Sequence, residues 1–505
     1  MTEDPTHEFA NGGGELAAPG AKRFFGHPRG LATLFFTEMW ERFSYYGMRG
    51  ILILFMVATA ETGGLGFSDS TSAAIYGLYT SMVYLLALPG GWVADKLWGQ
   101  QKAVFVGGVI IALGHFSLAV PMLPFFFLGL FLIVVGTGLL KPNVSAIVGE
   151  LYPEGGARRD AGYSIYYMGI NIGAFLGPLV CGYLGESIDW HLGFSAAGIG
   201  MVLGLIQYRI GMKHLGPAGR LQTTDGPSEM SRRARNFYLT LGAVGVPFFG
   251  VAAAAGLGWI ALDLTAIAKG LGYAIVILSL LYFAFLFLKG GLTGVEKKRL
   301  VVIIWLFILS AIFWGGFEQA GSSLNLFAER LTDRVVMGWE APASWLQSIN
   351  PIFIILFAPI FGWLWVALGR FNPSMGLKFA FGLLGLAAGF FVVAWGAANA
   401  TAADPVSPGW LIVTYFFHTA GELCLSPVGL SSITKLAPKG RVGQMMGVWF
   451  IATALGNLVA GLIAGQLETL DPQHLFTTVA WFVAGAGILA LLMSPFIKRL
   501  TAGAE

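Results

Sequence analysis

Residues 31–59 read LATLFFTEMWERFSYYGMRGILILFMVAT. The run exceeds the ~20 apolar residues that a bilayer core about 30 Å thick requires of a helix. It nevertheless carries Glu38, Glu41, Arg42 and Arg49. Positions 38, 41, 42, 45 and 49 follow the spacing i, i+3, i+4, i+7, i+11. Glu38, Glu41, Arg42, Tyr45 and Arg49 therefore share one helix face. A charge at mid-bilayer costs at least about 2.5–3.5 kcal/mol on insertion scales. Such a face must look into a helix bundle or a water-filled cavity, so this span requires neighbours.

The rest of the chain supplies them. Of 505 residues, 56% are hydrophobic and 11% charged, against roughly 25% charged for a soluble domain. With a mean hydropathy of +0.72, this excludes a soluble globular protein, a disordered chain and a nucleic-acid-binding module. A net charge of +3 is too small to suggest a polyanionic partner. The 71 glycines, without a collagen period, suit helices packed closely in a bilayer. Cys181 and Cys424 lie in apolar runs and read as packing thiols, not a disulfide framework. Fourteen spans are predicted, over 31–59, 71–94, 101–120, 122–149, 160–186, 191–212, 236–260, 264–289, 300–330, 345–368, 376–397, 409–434, 442–466 and 474–498. The runs are continuous, unlike the alternating segments of a barrel. Residues 1–29 have no apolar h-region, so a cleaved signal peptide is not expected. The loops on one side carry 24 Lys and Arg, and those on the other only Lys269, Arg330 and Arg334. The bias places both termini in the cytoplasm.

A weak internal repeat runs through the spans. Thr37–Glu41 pairs with Trp314–Glu318, Gly91-Trp92 with Gly362-Trp363, and Lys141-Pro142 with Ser426-Pro427, at offsets of 277, 271 and 285. Two parallel six-helix units are the architecture of the major facilitator fold. The expected organisation is a cytoplasmic tail over 1–30, a six-helix bundle over 31–212, a linker with two extra spans over 213–299, a second bundle over 300–498 and a tail over 499–505. Gly91–Lys102, between spans two and three, resembles the superfamily's loop signature around Asp95. Its glycine, Gly99, comes one position late, and polar Gln100 and Gln101 precede Lys102. Asp95 is expected to form a charge pair at the helix ends that breaks when the halves rock.

Polar residues recur at helical spacing inside other spans. Tyr163, Tyr167 and Asn171 lie in span five, Trp314, Glu318, Ser322 and Asn325 in span nine, His418, Glu422 and Ser426 in span twelve, and Trp449, Thr453 and Asn457 in span thirteen. Lys141 is the one interior charge of span four. A cavity lined by both signs of charge with Tyr and Trp suits a zwitterionic, amide-bearing solute. Buried ion pairs that merely hold helices together are the plainer reading, but such pairs often fail to offset their desolvation. No phosphate-binding loop of the Gly-x-x-x-x-Gly-Lys-Ser/Thr type appears, so transport would have to be secondary. Neither a His-Glu-x-x-His run nor a Gly-x-Ser-x-Gly elbow is present. His115 and His418 read as hydrogen-bonded packing residues.

Glu38-Met39-Trp40-Glu41-Arg42-Phe43-Ser44-Tyr45-Tyr46-Gly47 resembles the E-x-x-E-R-F-x-Y-Y-G motif of the proton-dependent oligopeptide transporters. Tyr166-Tyr167-Met168-Gly169-Ile170-Asn171-Ile172-Gly173 is similar to the family's fifth-helix signature, with Tyr166 in place of Phe. Phe317-Glu318-Gln319 and Glu422–Pro427 look like its other landmarks. The extra helix pair resembles the prokaryotic fourteen-helix branch. The resemblance implies symport of di- and tripeptides with protons by alternating access in a bacterial inner membrane, by a monomer that uses the proton gradient and no cofactor. Carried over by position, Arg42 and Lys141 would hold the peptide's carboxylate end, and Glu422, Asn171 and Asn350, with Ser426 beside them, its amino end and backbone. Tyr45, Tyr46, Tyr84, Trp314 and Trp449 would shape the side-chain pockets. Glu38, Glu41 and Arg42, with Glu318, would respond to protons. Arg49–Glu318 and Lys141–Glu422 would be gating pairs. Mammalian relatives place a His in the second helix and this span has none, so a His relay there is excluded.

Relatives with the same first-helix motif carry nitrate, but a lone anion needs no ammonium clamp, and Glu422 beside Lys141 favours a zwitterion. An enzyme would need a metal or nucleophile cluster, and a nutrient sensor a sizeable soluble domain. Neither is visible in the sequence.

Overall fold

A computed structural model describes residues 24–223 and 225–501. The tail residues 1–23 and 502–505, with Lys22 and Arg23 of the charge tally, lie outside the described residues. The helices are α1 Arg29–Val57, α2 Asp69–Leu85, α3 Ala87–Val93, α4 Gln100–Leu118, α5 Leu123–Glu150, α6 Gly156–Ser187, α7 Trp190–Gly211, α8 Pro227–Gly256, α9 Leu264–Lys289, α10 Gly294–Phe317 and α11 Ser323–Leu331. A hairpin of β1 Val335–Val336 and β2 Trp339–Glu340 follows. Then come α12 Ile349–Ala367, α13 Met375–Ala398, α14 Gly409–Leu436, α15 Val442–Ala464 and α16 Pro472–Leu500. Among the described residues, 13 helical stretches are long and apolar enough to cross a membrane. The 29-residue α1, with its four charges, is the fourteenth.

Local chemistry sets the helix ends. Ser68, Asp189, Asp263, Ser374 and Asp471 cap α2, α7, α9, α13 and α16 by accepting from first-turn backbone N–H groups. Thr293 and Glu296 form a capping box on α10. Two expected spans are broken. The second splits at Leu86, just ahead of Pro89, whose ring cannot continue the ladder. It ends in a π turn, Ala94–Trp98, closed by Gly99 N donating to Ala94 O at 2.8 Å. That wider turn absorbs the one-residue delay of the signature glycine, and Gly99 holds φ +78°, a left-handed value that favours glycine. The ninth span is interrupted at Glu318–Gly321, a 3-10 turn between α10 and α11. The expected single face of Trp314, Glu318, Ser322 and Asn325 is therefore broken at Ser322. Gly315, Gly316 and Gly321 make this stretch a poor α-helix.

The repeat is visible in the packing. In the first half α4 packs on α5 and α7, and α1 on α6 and α7. In the second half α13 packs on α14 and α16, and α10 on α15 and α16. The halves meet through α2 on α15 and through α6 on α12, which are symmetry-related contacts. This is the major facilitator fold, two six-helix bundles with two inserted helices. The inserted α9 lays Ala268 and Ile275 against Ala74 and Leu458, and so rests on α2 and α15. The other inserted helix, α8, has no buried residue.

Close approach inside a bundle depends on glycine. A Cβ at Gly173 of α6 would lie 2.1 Å from the Met39 carbonyl of α1. Gly173→Ala is expected to lower the unfolding temperature in detergent, since overpacking costs about 1–3 kcal/mol. Gly245→Ala on α8, where a Cβ meets nothing within 4 Å, is expected to leave it unchanged. Equal melting of all three proteins would refute this account of the α1–α6 contact.

Candidate functional site

The charged stripe of α1 is buried, with Glu38 2%, Glu41 0%, Arg42 3% and Arg49 5% exposed. Each cation meets a carboxylate. Arg42 Nε lies 3.2 Å from Glu38 Oε1 and 2.5 Å from Glu41 Oε2. Arg49 Nη2 lies 2.6 Å from Glu318 Oε2, so this pair joins α1 to the turn after α10. Arg49 Nε also donates to the Tyr76 hydroxyl of α2. Tyr46 sits between the two arginines, its ring centroid 5.9 Å from Arg42 Cζ and 5.6 Å from Arg49 Cζ. Glu38 Oε2 and Glu41 Oε1 are buried without a hydrogen-bond partner among the described residues.

Lys141 and Glu422 do not pair with each other. Lys141 Nζ lies over the Tyr84 ring, 4.1 Å from its centroid. Glu422 Oε2 accepts from Asn350 Nδ2 at 3.2 Å, and the same amide donates to Thr419 Oγ1 at 2.9 Å. The expected ion pair is therefore absent from this conformation. Each of the two charges is held by its own bundle. Lys141, Tyr84, Asn350, Glu422, Ser426, Tyr46 and Trp314 are all half-buried.

Other expected wall residues are packed away. Tyr45 stacks on Tyr79 at 6.4 Å within the first bundle. Trp449 lies in the second bundle, so close to Gly429 that a Cβ there would be 2.1 Å from the indole. The Thr453 hydroxyl and the Asn457 amide donate to carbonyls one turn back, Trp449 O at 3.2 Å and Thr453 O at 2.9 Å. The donors of the α15 row are thus turned onto their own helix, and Trp449, Thr453 and Asn457 are all buried, with Asn457 Oδ1 lacking a partner among the described residues. Asn171 likewise donates to Tyr167 O at 2.9 Å, while Tyr167 is exposed. Asp95 is exposed and makes no ion pair among the described residues, so the expected charge pair at the helix ends is not formed in this conformation. His115 and His418 are buried but, contrary to expectation, neither ring nitrogen of either has a hydrogen-bond partner among the described residues. His418 packs instead on Phe390 at 4.9 Å.

Sequence reasoning missed Tyr76 and Thr419, which hold Arg49 and Asn350, because a single hydroxyl in an apolar run has no signal of its own. Beyond the expected Arg49–Glu318 pair, it also missed the other bonds that join the halves. Among the described residues, every hydrogen bond and ion pair between them lies away from the basic loops. Asn325 and Gln347 both donate to Gly50 O, at 2.8 and 3.3 Å. Arg330 holds Asp69 with two bonds of 2.6 and 2.8 Å. Ser70 N donates to Glu468 Oε2 at 2.9 Å.

Removing one partner of a buried pair costs about 3–5 kcal/mol, because the other charge is stranded. Glu318→Ala is expected to destabilise the purified protein markedly in a thermal-unfolding assay. The double variant Arg49→Ala/Glu318→Ala is expected to recover most of that loss. Simple additivity of the two single losses would count against a dedicated pair.

Comparison with known proteins agrees with this architecture. The model of the POT family matches residues 101–241 and 257–482. The chain is 43% identical over 498 residues to the peptide transporter YePEPT of Yersinia enterocolitica, covering 95% of this chain and 97% of that one. It is 37% identical over 495 residues to a di-/tripeptide transporter of Lactococcus lactis subsp. cremoris, covering 95% and 98%. A crystal structure of a peptide transporter POT in complex with sulfate superposes with a TM-score of 0.88 at 40% identity, covering 97% of this chain and 99% of that one. With its fold, its first-helix motif and relatives along its whole length, this chain belongs to the POT family of membrane transporters.

Proposed function

We propose that the chain is a proton-coupled symporter that imports di- and tripeptides by alternating access. The observation that carries this reading is a pair of opposite, half-buried charges, one in each bundle, each held by a partner of its own bundle. Lys141 is held over Tyr84, and Glu422 is held by Asn350, with no ion pair between them. A short peptide is a zwitterion whose ends need such partners. Lys141, with Arg42, receives the carboxylate, and Glu422 with Asn350 receives the ammonium. Asn171 and Ser426 serve the backbone, and Tyr46, Tyr84 and Trp314 form the walls. That relatives are named as peptide and di-/tripeptide transporters supports the same substrate class.

Proton coupling resides in the α1 cluster. Two carboxylates share one guanidinium, and each keeps an oxygen without a partner. One proton neutralises the cluster and frees Arg42 for the peptide carboxylate. The joined outer face and the absence, among the described residues, of polar bonds between the halves on the basic side fit a state open toward the basic loops. With those loops in the cytoplasm, this state faces inward in a bacterial inner membrane. The unit of transport is the monomer, and the proton gradient is its energy source.

In liposomes with an inward proton gradient, labelled dialanine is expected to accumulate, and a protonophore is expected to abolish the accumulation. Nitrate uptake without dialanine uptake would refute the peptide reading. Glu41→Gln is expected to remove gradient-driven accumulation by at least about tenfold while peptide exchange between loaded compartments persists. Undiminished accumulation would remove Glu41 from the coupling step. Lys141→Ala is expected to weaken dialanine binding about tenfold or more, since a charge-assisted bond to the carboxylate is lost. Wild-type affinity in that variant would place Lys141 outside the site.

A further inference from the structure

Glu186, near the outer end of α6, is a charged group that the proposed mechanism leaves unused. Its carboxylate reaches across to the other half. Ala343 N donates to Glu186 Oε2 at 2.6 Å, Ser344 N to Oε1 at 3.1 Å, and the Ser344 hydroxyl also donates to Oε1. Ala343–Ser348 is the 3-10 turn that runs directly into α12. Glu186 therefore caps the start of that helix from a different bundle, where exposed N–H groups and the helix dipole favour an anion.

The cap is one end of a longer seam. The indole Nε1 of Trp345 donates to Leu179 O at 2.9 Å, and the Ser348 hydroxyl to Phe175 O at 2.8 Å. A Cβ at Gly182 would lie 2.0 Å from the Ser344 hydroxyl, so glycine there makes room for the approach. Positions 175, 179, 182 and 186 follow i, i+4, i+7, i+11, one face of α6. One turn further inward on that face is Asn171. Two residues beyond Ser348 is Asn350, which holds Glu422. The seam thus begins at the outer face on a carboxylate and ends at two amides of the proposed peptide site. It uses different side chains from Arg49–Glu318, although Gln347 of the same turn also bonds Gly50 O beside Arg49.

We propose that Glu186 is the positioning residue of a second outer gate, clamping the start of α12 onto α6 and linking closure of the outer face to Asn171 and Asn350. The clamp must open for the halves to part on that side. The inference rests on the alternating-access reading.

The test places spin labels at Glu61→Cys and Asp404→Cys, exposed positions in the α1–α2 and α13–α14 connections, and reads their distance distribution in liposomes. The native Cys181 and Cys424 are buried. Glu186→Gln is expected to raise the population with long outer-face distances about tenfold, the effect of losing a charged helix cap. Glu186→Asp is expected to restore most of the closed population, and Glu154→Gln, on the basic side, to change nothing. Ser344→Ala is expected to act in the same direction, and the pair Glu186→Gln/Ser344→Ala to be less than additive. If Glu186→Gln does not fold, Ser344→Ala alone decides the matter. An outer face that opens in Arg49→Ala but not in Glu186→Gln or Ser344→Ala overturns the clamp and leaves alternating access standing. Distances fixed in every variant, with and without dialanine or a proton gradient, overturn both.

Discussion

Four charges on one membrane helix set the terms for everything around it. Glu38, Glu41, Arg42 and Arg49 cannot face lipid, and each must find a partner at short range. The first three pair with one another within α1, although Glu38 and Glu41 each keep one oxygen without a partner among the described residues. Arg49 is left without an intrahelical carboxylate and takes Glu318 from the other half. The demand of a single guanidinium therefore ties the first helix to the other bundle, alongside the polar bonds that Asn325, Gln347, Arg330 and Glu186 make between the halves. Tyr76, accepting from the same guanidinium, makes α2 part of the joint.

The duplicated architecture gives that joint its leverage. Each half builds the same packing of helices, and the halves touch through equivalent contacts, α2 on α15 and α6 on α12. An interface made from two symmetric contacts can rock about its middle without unpacking either bundle. In this structure all polar bonds across it, among the described residues, lie on the face away from the basic loops. The charges nearer the middle, Lys141 and Glu422, stay with their own bundles.

Much of this was legible in the sequence because apolar runs and charges inside them are strong signals. The fourteen spans agree with the helices to within a few residues in most cases, and the α1 stripe is buried as its spacing requires. The repeat was readable from three short pairings. What the sequence hid depends on which way a polar side chain turns. Periodicity marked Trp449, Thr453 and Asn457 as one face, but Thr453 and Asn457 satisfy carbonyls of their own helix and the face packs inward. Tyr45 shares the charged face by spacing, yet its ring is drawn to Tyr79. The break after Phe317 was also hidden, since glycine weakens a helix without saying whether tertiary contacts will restore it. Glu186 passed unnoticed because a carboxylate near a span end looks solvated until its partner helix is in place.

The two pairs expected to gate differ in a way that suits a cycle. A buried ion pair gains little net energy, because desolvation consumes most of the attraction. Arg49–Glu318 can therefore form or open at modest cost, provided neither charge is stranded when they separate. Tyr46 and Tyr76 already contact Arg49 and can hold the guanidinium after Glu318 leaves. Lys141 and Glu422 have comparable local holders in Tyr84 and Asn350. Lys141 rests on an aromatic ring with its expected carboxylate elsewhere, and Arg49 has two rings beside it while still paired. Without those rings, separation would strand a charge and the protein would be locked in the paired state. In the proposed cycle the tyrosines beside the cations would consequently be as necessary to reversible gating as the ion pairs themselves.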